Sequence, residues 1–259
     1  VIAALALLIY LRFRGITIPG GRGVWRAFFI MGLINNVVPF SLLFWGQERM
    51  DAGLASILNA TMPIFTVLVA HRLTTDEKIT SGKLVGVLLG FAGVAVMLGS
   101  GFSGSAAIPP MAMLAVLGAA LSYAFASVFG RTFRKLGVKP AQVAFGQLTA
   151  SSVLMVPMVL LWNPLPAPSL LSVGAALAVL ALALVSTALA YILYFRILSS
   201  GGAVNISLVT LLVPVTAILL GALFLGERLP WQAWVSMGLI GFGLVTIDGR
   251  LFRRRLSGG

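Results

Sequence analysis

The sequence predicts an all-α membrane protein, a polytopic helix bundle with inverted five-helix repeats. Three observations predict it. Of the 259 residues, 59% are apolar and only 9% are charged, a composition outside the range of water-soluble domains. The apolar residues fall in runs of about 20, long enough to cross a hydrocarbon core about 30 Å thick as helices, whereas barrel strands would be about 10 residues long and alternating. Finally, the run AVNISLVTLLVPVTAILLGALFL at 203–225 repeats features of AGLASILNATMPIFTVLVAHRL at 52–73, including a proline near the middle.

Helical segments are expected near 1–11, 25–47, 52–71, 82–99, 110–130, 140–162, 170–195, 203–225 and 231–248. The first is too short to span. The chain opens at Val1 inside this apolar run, and basic residues follow the run instead of preceding it as in a signal peptide. An upstream span and the start of this one are therefore expected, making ten spans in the intact chain and about nine visible here. Trp25, Trp45, Trp162, Trp231 and Trp234 lie near predicted helix ends, where aromatic side chains anchor in the interface.

The formal charge of +12 could signal nucleic-acid binding, but its distribution points elsewhere. Alternate connections hold Arg12, Arg14, Arg22 and Arg26; then Arg72, Lys78 and Lys83; then Arg131, Arg134, Lys135 and Lys139; then Arg196; then Arg250, Arg253, Arg254 and Arg255. Only Arg49 and Arg228 occupy the intervening connections. This positive-inside asymmetry predicts a cytoplasmic C-terminus in a multi-pass membrane protein, with the bilayer and no nucleic acid as its surroundings. The absence of cysteine excludes disulfides and thiol chemistry.

Laying Ala52 on Ala203 brings Ser56 onto Ser207, Asn59 onto Thr210 and Pro63 onto Pro214. After a one-residue gap, Glu77-Lys78-Ile79 meets Glu227-Arg228-Leu229, and Gly99 meets Gly249. The paired helices stand an odd number of spans apart, so one copy runs inward and the other outward. Two halves are expected, 1–99 and 110–248, followed by a basic tail at 249–259. Inverted repeats characterise secondary transporters, whose substrate site sits near the midplane at the repeat interface.

The segments LVPVTAILLGALFLGERLPWQAWVSMGLIGFGLVTI and MPIFTVLVAHRLTTDEKITSGKLVGVLLGFAGVAVML resemble the paired EamA repeats of the drug/metabolite transporter superfamily. The resemblance covers nearly the whole chain. It implies ten spans in two five-helix halves with both termini cytoplasmic, and the resemblance to the bacterial aromatic amino acid exporters among its members implies a bacterial inner membrane. The first span and part of the second are missing from this pattern.

Proline within a helix removes a donor, leaving the carbonyl four residues earlier without its partner. Before Pro39, Pro63 and Pro214 those residues are Asn35, Asn59 and Thr210, so each freed carbonyl coincides with a polar side chain. Lipid-facing unpaired groups cost several kcal/mol, so these hinge positions should face protein or a wet cavity. Packing between helices would satisfy Asn and Thr equally well. Helical spacing extends the candidate substrate surface to Asn36, Phe40 and Phe44, to Thr187 and Tyr191 in a stripe with Tyr194 and Phe195, to Tyr123 with Ser127, and to Gln147 with Ser151.

No Asp or Glu lies deep in a predicted span. Glu48, Asp51 and Glu227 sit at outer helix ends, Asp76 and Glu77 in a cytoplasmic connection, and Asp248 at an inner end. The lone His71 sits beside Arg72 at a boundary. The sequence thus offers neither a proton-coupling carboxylate nor a counter-charge for a phosphorylated substrate. A small neutral or zwitterionic substrate moved by facilitated diffusion is expected, with no cofactor and no metal. Proton-coupled export, sugar-phosphate or nucleotide-sugar exchange, and a structural subunit are the alternatives. Enzymatic chemistry lacks its usual groups. Gly86 with Gly90, and Gly238 with Gly241, suggest close helix packing or a weak homodimer contact; otherwise the protein is a monomer.

Overall fold

A computed structural model describes residues 1–50, 55, 58–99, 109–162, 172–212, 215–216, 223 and 231–248. The described residues are helical throughout their long apolar runs, as an all-α membrane bundle requires. The helices are α1 (Ile2–Phe13), α2 (Arg22–Gln47), α3 (Met62–Leu73), α4 (Ser81–Gly99), α5 (Pro110–Gly130), α6 (Thr132–Lys135), α7 (Pro140–Trp162), α8 (Val173–Ser207) and α9 (Trp231–Asp248). Pro214, Ser56, Glu227 and the basic tail lie outside the described residues.

Two compact units divide the chain. Unit 1 is Val1–Val38 with Phe129–Gly202, and unit 2 is Pro39–Val128 with Ala203–Gly259. Each therefore takes residues from both sequence halves.

In unit 1, α7 is the central element. From Ala141 to Leu148 it is buried on every side, the pattern of a helix enclosed by others. Helix α1 presents Ala3, Ala4, Leu7 and Leu11 as one buried stripe, and packs on α7. Helix α2 presents Ala27, Phe28, Met31 and Gly32. Lipid tails are as apolar as Leu, so burial alone does not hold such helices together; close packing and interhelical hydrogen bonds do. Two glycines allow that approach. A Cβ on Gly146 would strike the Phe28 ring, and one on Gly32 would lie 3.0 Å from the Ser151 amide nitrogen. Phe28 stacks on Phe133 at 5.4 Å, and Phe133 meets Phe195 edge-on at 6.3 Å. The Gln142 side chain ties the α1–α2 connection to the start of α7: its Nε2 donates to Thr17 O at 2.7 Å, while its Oε1 accepts from Lys139 N at 2.8 Å.

In unit 2, α4 packs along α9. A Cβ on Gly86 would come within 2.5 Å of the Gly243 carbonyl oxygen, and one on Gly90 within 2.6 Å of Leu211 Cδ1. Gly86 and Gly90 are thus packing residues, as expected, but their partner is Gly243. Gly238 and Gly241 meet nothing within 4 Å among the described residues. One apolar cluster unites Ala60, Val67, Ala70, Val87 and Val94 with Val204, Leu208, Leu211 and Ile240. The residues flanking Asn59 and Thr210 therefore share a core.

Helix bounds differ from expectation at three places, each for a local reason. The run at 52–71, expected as one bent helix, is interrupted at Ala60–Thr61, and α3 begins at Met62 with Pro63 in its first turn. A proline there costs little, since first-turn amides have no helical partner. The Thr61 hydroxyl donates to Leu58 O at 2.6 Å across the interruption. The expected segments 170–195 and 203–225 meet without a loop: α8 runs on to Ser207 through one broken residue, Gly202, at φ 83° and ψ 177°. Only glycine takes that conformation without strain. Lastly, α2 and α8 each contain a π-helical stretch, Leu33–Val37 and Leu182–Leu189.

Candidate functional site

The π-helical stretch of α2 precedes Pro39, which has no N–H to give. Val38 N donates to Leu33 O, five residues back, and the widened turn holds an extra residue. Adjacent residues Asn35 and Asn36 can then both face inward, and they are 3% and 5% exposed. A regular α-helix would separate two neighbours by about 100°. The proline accounts for a break here, and the widened turn aims both amides at α7.

Around them lies a closed, uncharged network within unit 1. Asn35 Nδ2 donates to Gln147 Oε1 at 3.2 Å, and Gln147 Nε2 donates to Asn36 Oδ1 at 2.7 Å. Asn36 Nδ2 donates to Ser151 Oγ at 3.0 Å, and the Ser151 hydroxyl donates in turn to the Gln147 carbonyl. The Tyr191 hydroxyl, from α8, donates to Asn36 Oδ1 at 2.8 Å. Asn36 is the hub, since its oxygen accepts from two helices and its nitrogen donates to one of them. Gln147 and Ser151 are one turn apart on α7, at the level where Gly32 lets α2 approach.

Aromatic rings line up beyond this network. Tyr191 stacks on Phe195 at 6.2 Å, and Tyr194 meets Phe195 edge-on at 5.1 Å. Thr187, one turn earlier on α8, is half-buried and donates to Leu182 O at 2.9 Å, inside the second π-helical stretch. Five expected residues, Asn35, Asn36, Gln147, Thr187 and Tyr191, therefore belong to unit 1. All but Thr187 are directly joined through their side chains.

The remaining candidates belong to unit 2. Phe40 meets Tyr123 edge-on at 6.4 Å and Phe44 at a tilt at 6.1 Å. Phe40 and Phe44 are exposed, while Ser127 is buried and donates to Tyr123 O at 3.0 Å. Thr210 donates to Ser207 O at 2.7 Å, next to the turn at Leu208. Asn59 lies just before the Ala60–Thr61 interruption, and its Oδ1 is buried with no hydrogen-bond partner among the described residues. A lone buried acceptor costs about 1–3 kcal/mol.

Sequence reasoning passed over Glu77. Its Oε1 accepts from Ala203 N at 2.8 Å and its Oε2 from Val204 N at 2.9 Å. The carboxylate thus caps the helical segment that follows the Gly202 break, where exposed N–H groups attract negative charge. The signal was present in the repeat: an acidic residue matched in both copies. His71 is likewise structural, its Nδ1 accepting from Ile79 N at 3.3 Å. Among the described residues, no cluster of His, Asp or Glu could hold a metal ion.

Comparison with known proteins agrees with this architecture. A model of the EamA-like transporter family matches residues 1–99 and 110–247. The chain is 31% identical over 255 residues to the uncharacterized inner membrane transporter YedA of Escherichia coli, covering 96% of this chain and 80% of that protein. It is 27% identical to protein PecM of Dickeya dadantii, over 93% of this chain and 80% of PecM. A protein of Escherichia coli named as a probable amino-acid metabolite efflux pump is 25% identical, over 88% of this chain and 78% of that one. One solved crystal structure, 21% identical, shares the fold with a TM-score of 0.80 over 95% of this chain and 85% of its own. The chain belongs to the EamA-like transporter family and is a membrane transport protein.

Proposed function

We propose that the protein exports a small neutral or zwitterionic metabolite, most simply an aromatic or other apolar amino acid, as a facilitator working by alternating access. The observation that carries this reading is the uncharged polar hub on Asn36, set among helices otherwise apolar. Unit 1 contains no Asp or Glu at all, so a coupling proton has no carboxylate there. Amide and phenol groups orient a polar end by hydrogen bonds, and the Tyr191, Tyr194 and Phe195 rings offer an aromatic wall for an apolar body. A substrate entering the network replaces one hydrogen bond with another, an exchange of small net cost. Asn59 Oδ1 adds an acceptor in unit 2 suited to an ammonium or amide donor.

On this reading Pro39, Pro63 and Pro214 lie at hinges, since helix interruptions gather beside the first two. Thr187 in unit 1, and Phe40, Phe44, Tyr123, Ser127 and Thr210 in unit 2, are the further residues proposed to meet substrate during transport. The two inverted halves, 1–99 and 110–248, exchange conformations as a monomer or weak homodimer in a bacterial inner membrane, with the C-terminus cytoplasmic. The name of one relative as an amino-acid metabolite efflux pump supports the substrate class.

Counterflow into proteoliposomes, run against a panel of amino acids and sugar phosphates, tests the proposal. Uptake driven by aromatic or branched amino acids is expected, with no response to an imposed pH gradient. Exclusive counterflow by phosphorylated compounds, or a clear rise with the pH gradient, would overturn it.

A further inference from the structure

A cavity of about 320 Å³ opens in unit 1 between the end of α5 and the start of α7. Arg131, Arg134 and Lys139 line it, over a floor that includes Phe133, Phe195 and Leu198. The three apolar residues are buried. Arg134 Nη1 donates to Ser199 O at 3.2 Å, which holds its guanidinium at the rim. Gly137, at φ 67°, turns the chain so that Lys139 and Pro140 close the other side. Among the described residues no carboxylate lines the cavity, and none occurs in the sequence of residues 1–38 or 129–202.

We propose that this cavity binds the phosphate of an anionic glycerophospholipid. The cationic rim matches a phosphodiester through charge-assisted hydrogen bonds, and half-buried Val138 in the same lining offers apolar surface to the start of an acyl chain. The basic connection 131–139 falls on the side that the charge asymmetry predicts to be cytoplasmic. Basic pockets between helices on that side suit anionic headgroups. The cavity shares Phe195 with the aromatic wall proposed for the substrate, but none of its cations belongs to the Asn36 hub. A soluble phosphate shares the headgroup chemistry, and the experiment separates the two sources.

The test uses the full chain, delipidated in neutral detergent, with binding followed by native mass spectrometry and thermal shift. The probes are short-chain phosphatidylglycerol, short-chain phosphatidylcholine and inorganic phosphate. The proteins are the parent, Arg131→Gln/Lys139→Gln, the charge-preserving Arg131→Lys/Lys139→Arg, and Lys83→Gln as a control in unit 2. Phosphatidylglycerol should bind the parent more tightly than phosphatidylcholine. The neutralised pair should weaken it roughly 25-fold, from about fivefold per cation. The charge-preserving pair and Lys83→Gln should bind like the parent, which separates loss of charge from misfolding. Stabilisation by inorganic phosphate equal to that by phosphatidylglycerol would keep the phosphate site and make the soluble anion its ligand. Equal binding of the two lipids to the parent, or a preference unchanged in the neutralised pair, would overturn the proposal.

Discussion

The Glu77 carboxylate accepts a hydrogen bond from Ala203 N at 2.8 Å, across 126 residues of sequence. With the second bond from Val204 N, it fixes the connection before α4 to the helical segment that restarts after Gly202. Replacing Glu77 by Ala strands two amides, and replacing it by Gln leaves one neutral acceptor. Unfolding in mixed micelles should show Glu77→Ala less stable by about 2–3 kcal/mol and Glu77→Gln between it and the parent. Hydrogen exchange at Ala203 and Val204 should quicken in the same order.

Gly32 governs the approach of α2 to α7. A methyl group there would lie 3.0 Å from Ser151 N and 3.1 Å from Gln147 O, and the neighbouring backbone cannot yield cheaply. Gly32→Ala should cost about 1–3 kcal/mol through overpacking, despite the higher helix propensity of alanine. The shift would lengthen the Asn36 bonds as well, so transport per folded molecule should fall with stability.

Helix α9 allows a direct contrast between two glycines on one helix. Gly243→Ala would bring a Cβ within 2.5 Å of Gly86 O and should reduce folded yield by about 1–3 kcal/mol of stability. Gly238→Ala meets nothing within 4 Å among the described residues and should stay within about 0.5 kcal/mol of the parent. Thermal unfolding and crosslinking in native membranes check both. A loss of crosslinked dimer in Gly238→Ala alone would mark that face as an oligomer contact.

Tyr191 supplies one of the two bonds accepted by Asn36 Oδ1. Tyr191→Phe leaves the ring stack on Phe195 in place and removes only the hydroxyl. Interhelical hydrogen bonds in membranes average about 0.6 kcal/mol, so stability should fall by no more than about 1 kcal/mol. A larger effect on KM than on kcat is expected, measured by initial uptake rates.

Much of this arrangement is legible in the sequence. Asn35, Asn36, Gln147, Ser151 and Tyr191 can be picked out because amides and hydroxyls are conspicuous in apolar runs, where unpaired polar groups are costly. Their connectivity is another matter. The π-helical turn that points both Asn35 and Asn36 inward depends on how α2 packs on α7, and helical spacing alone places the two residues on diverging faces. The division of the chain at Val38/Pro39, Val128/Phe129 and Gly202/Ala203 is similarly hidden, since it rests on contacts between distant segments. Gly202 shows the converse. The expected segments 170–195 and 203–225 leave a connection between them, whereas one residue at positive φ there breaks α8 and lets it continue.

The hub on Asn36 is tested most directly by Asn36→Ala, reconstituted at folded amounts matched to the parent and to Gly238→Ala, with amino-acid counterflow as the readout. Loss of an oriented polar contact worth about 1.5–3 kcal/mol predicts a fall in kcat/KM of roughly 10- to 100-fold, carried by a higher KM, while Gly238→Ala transports normally. Counterflow by Asn36→Ala at the parental rate and KM would contradict a substrate role for the hub.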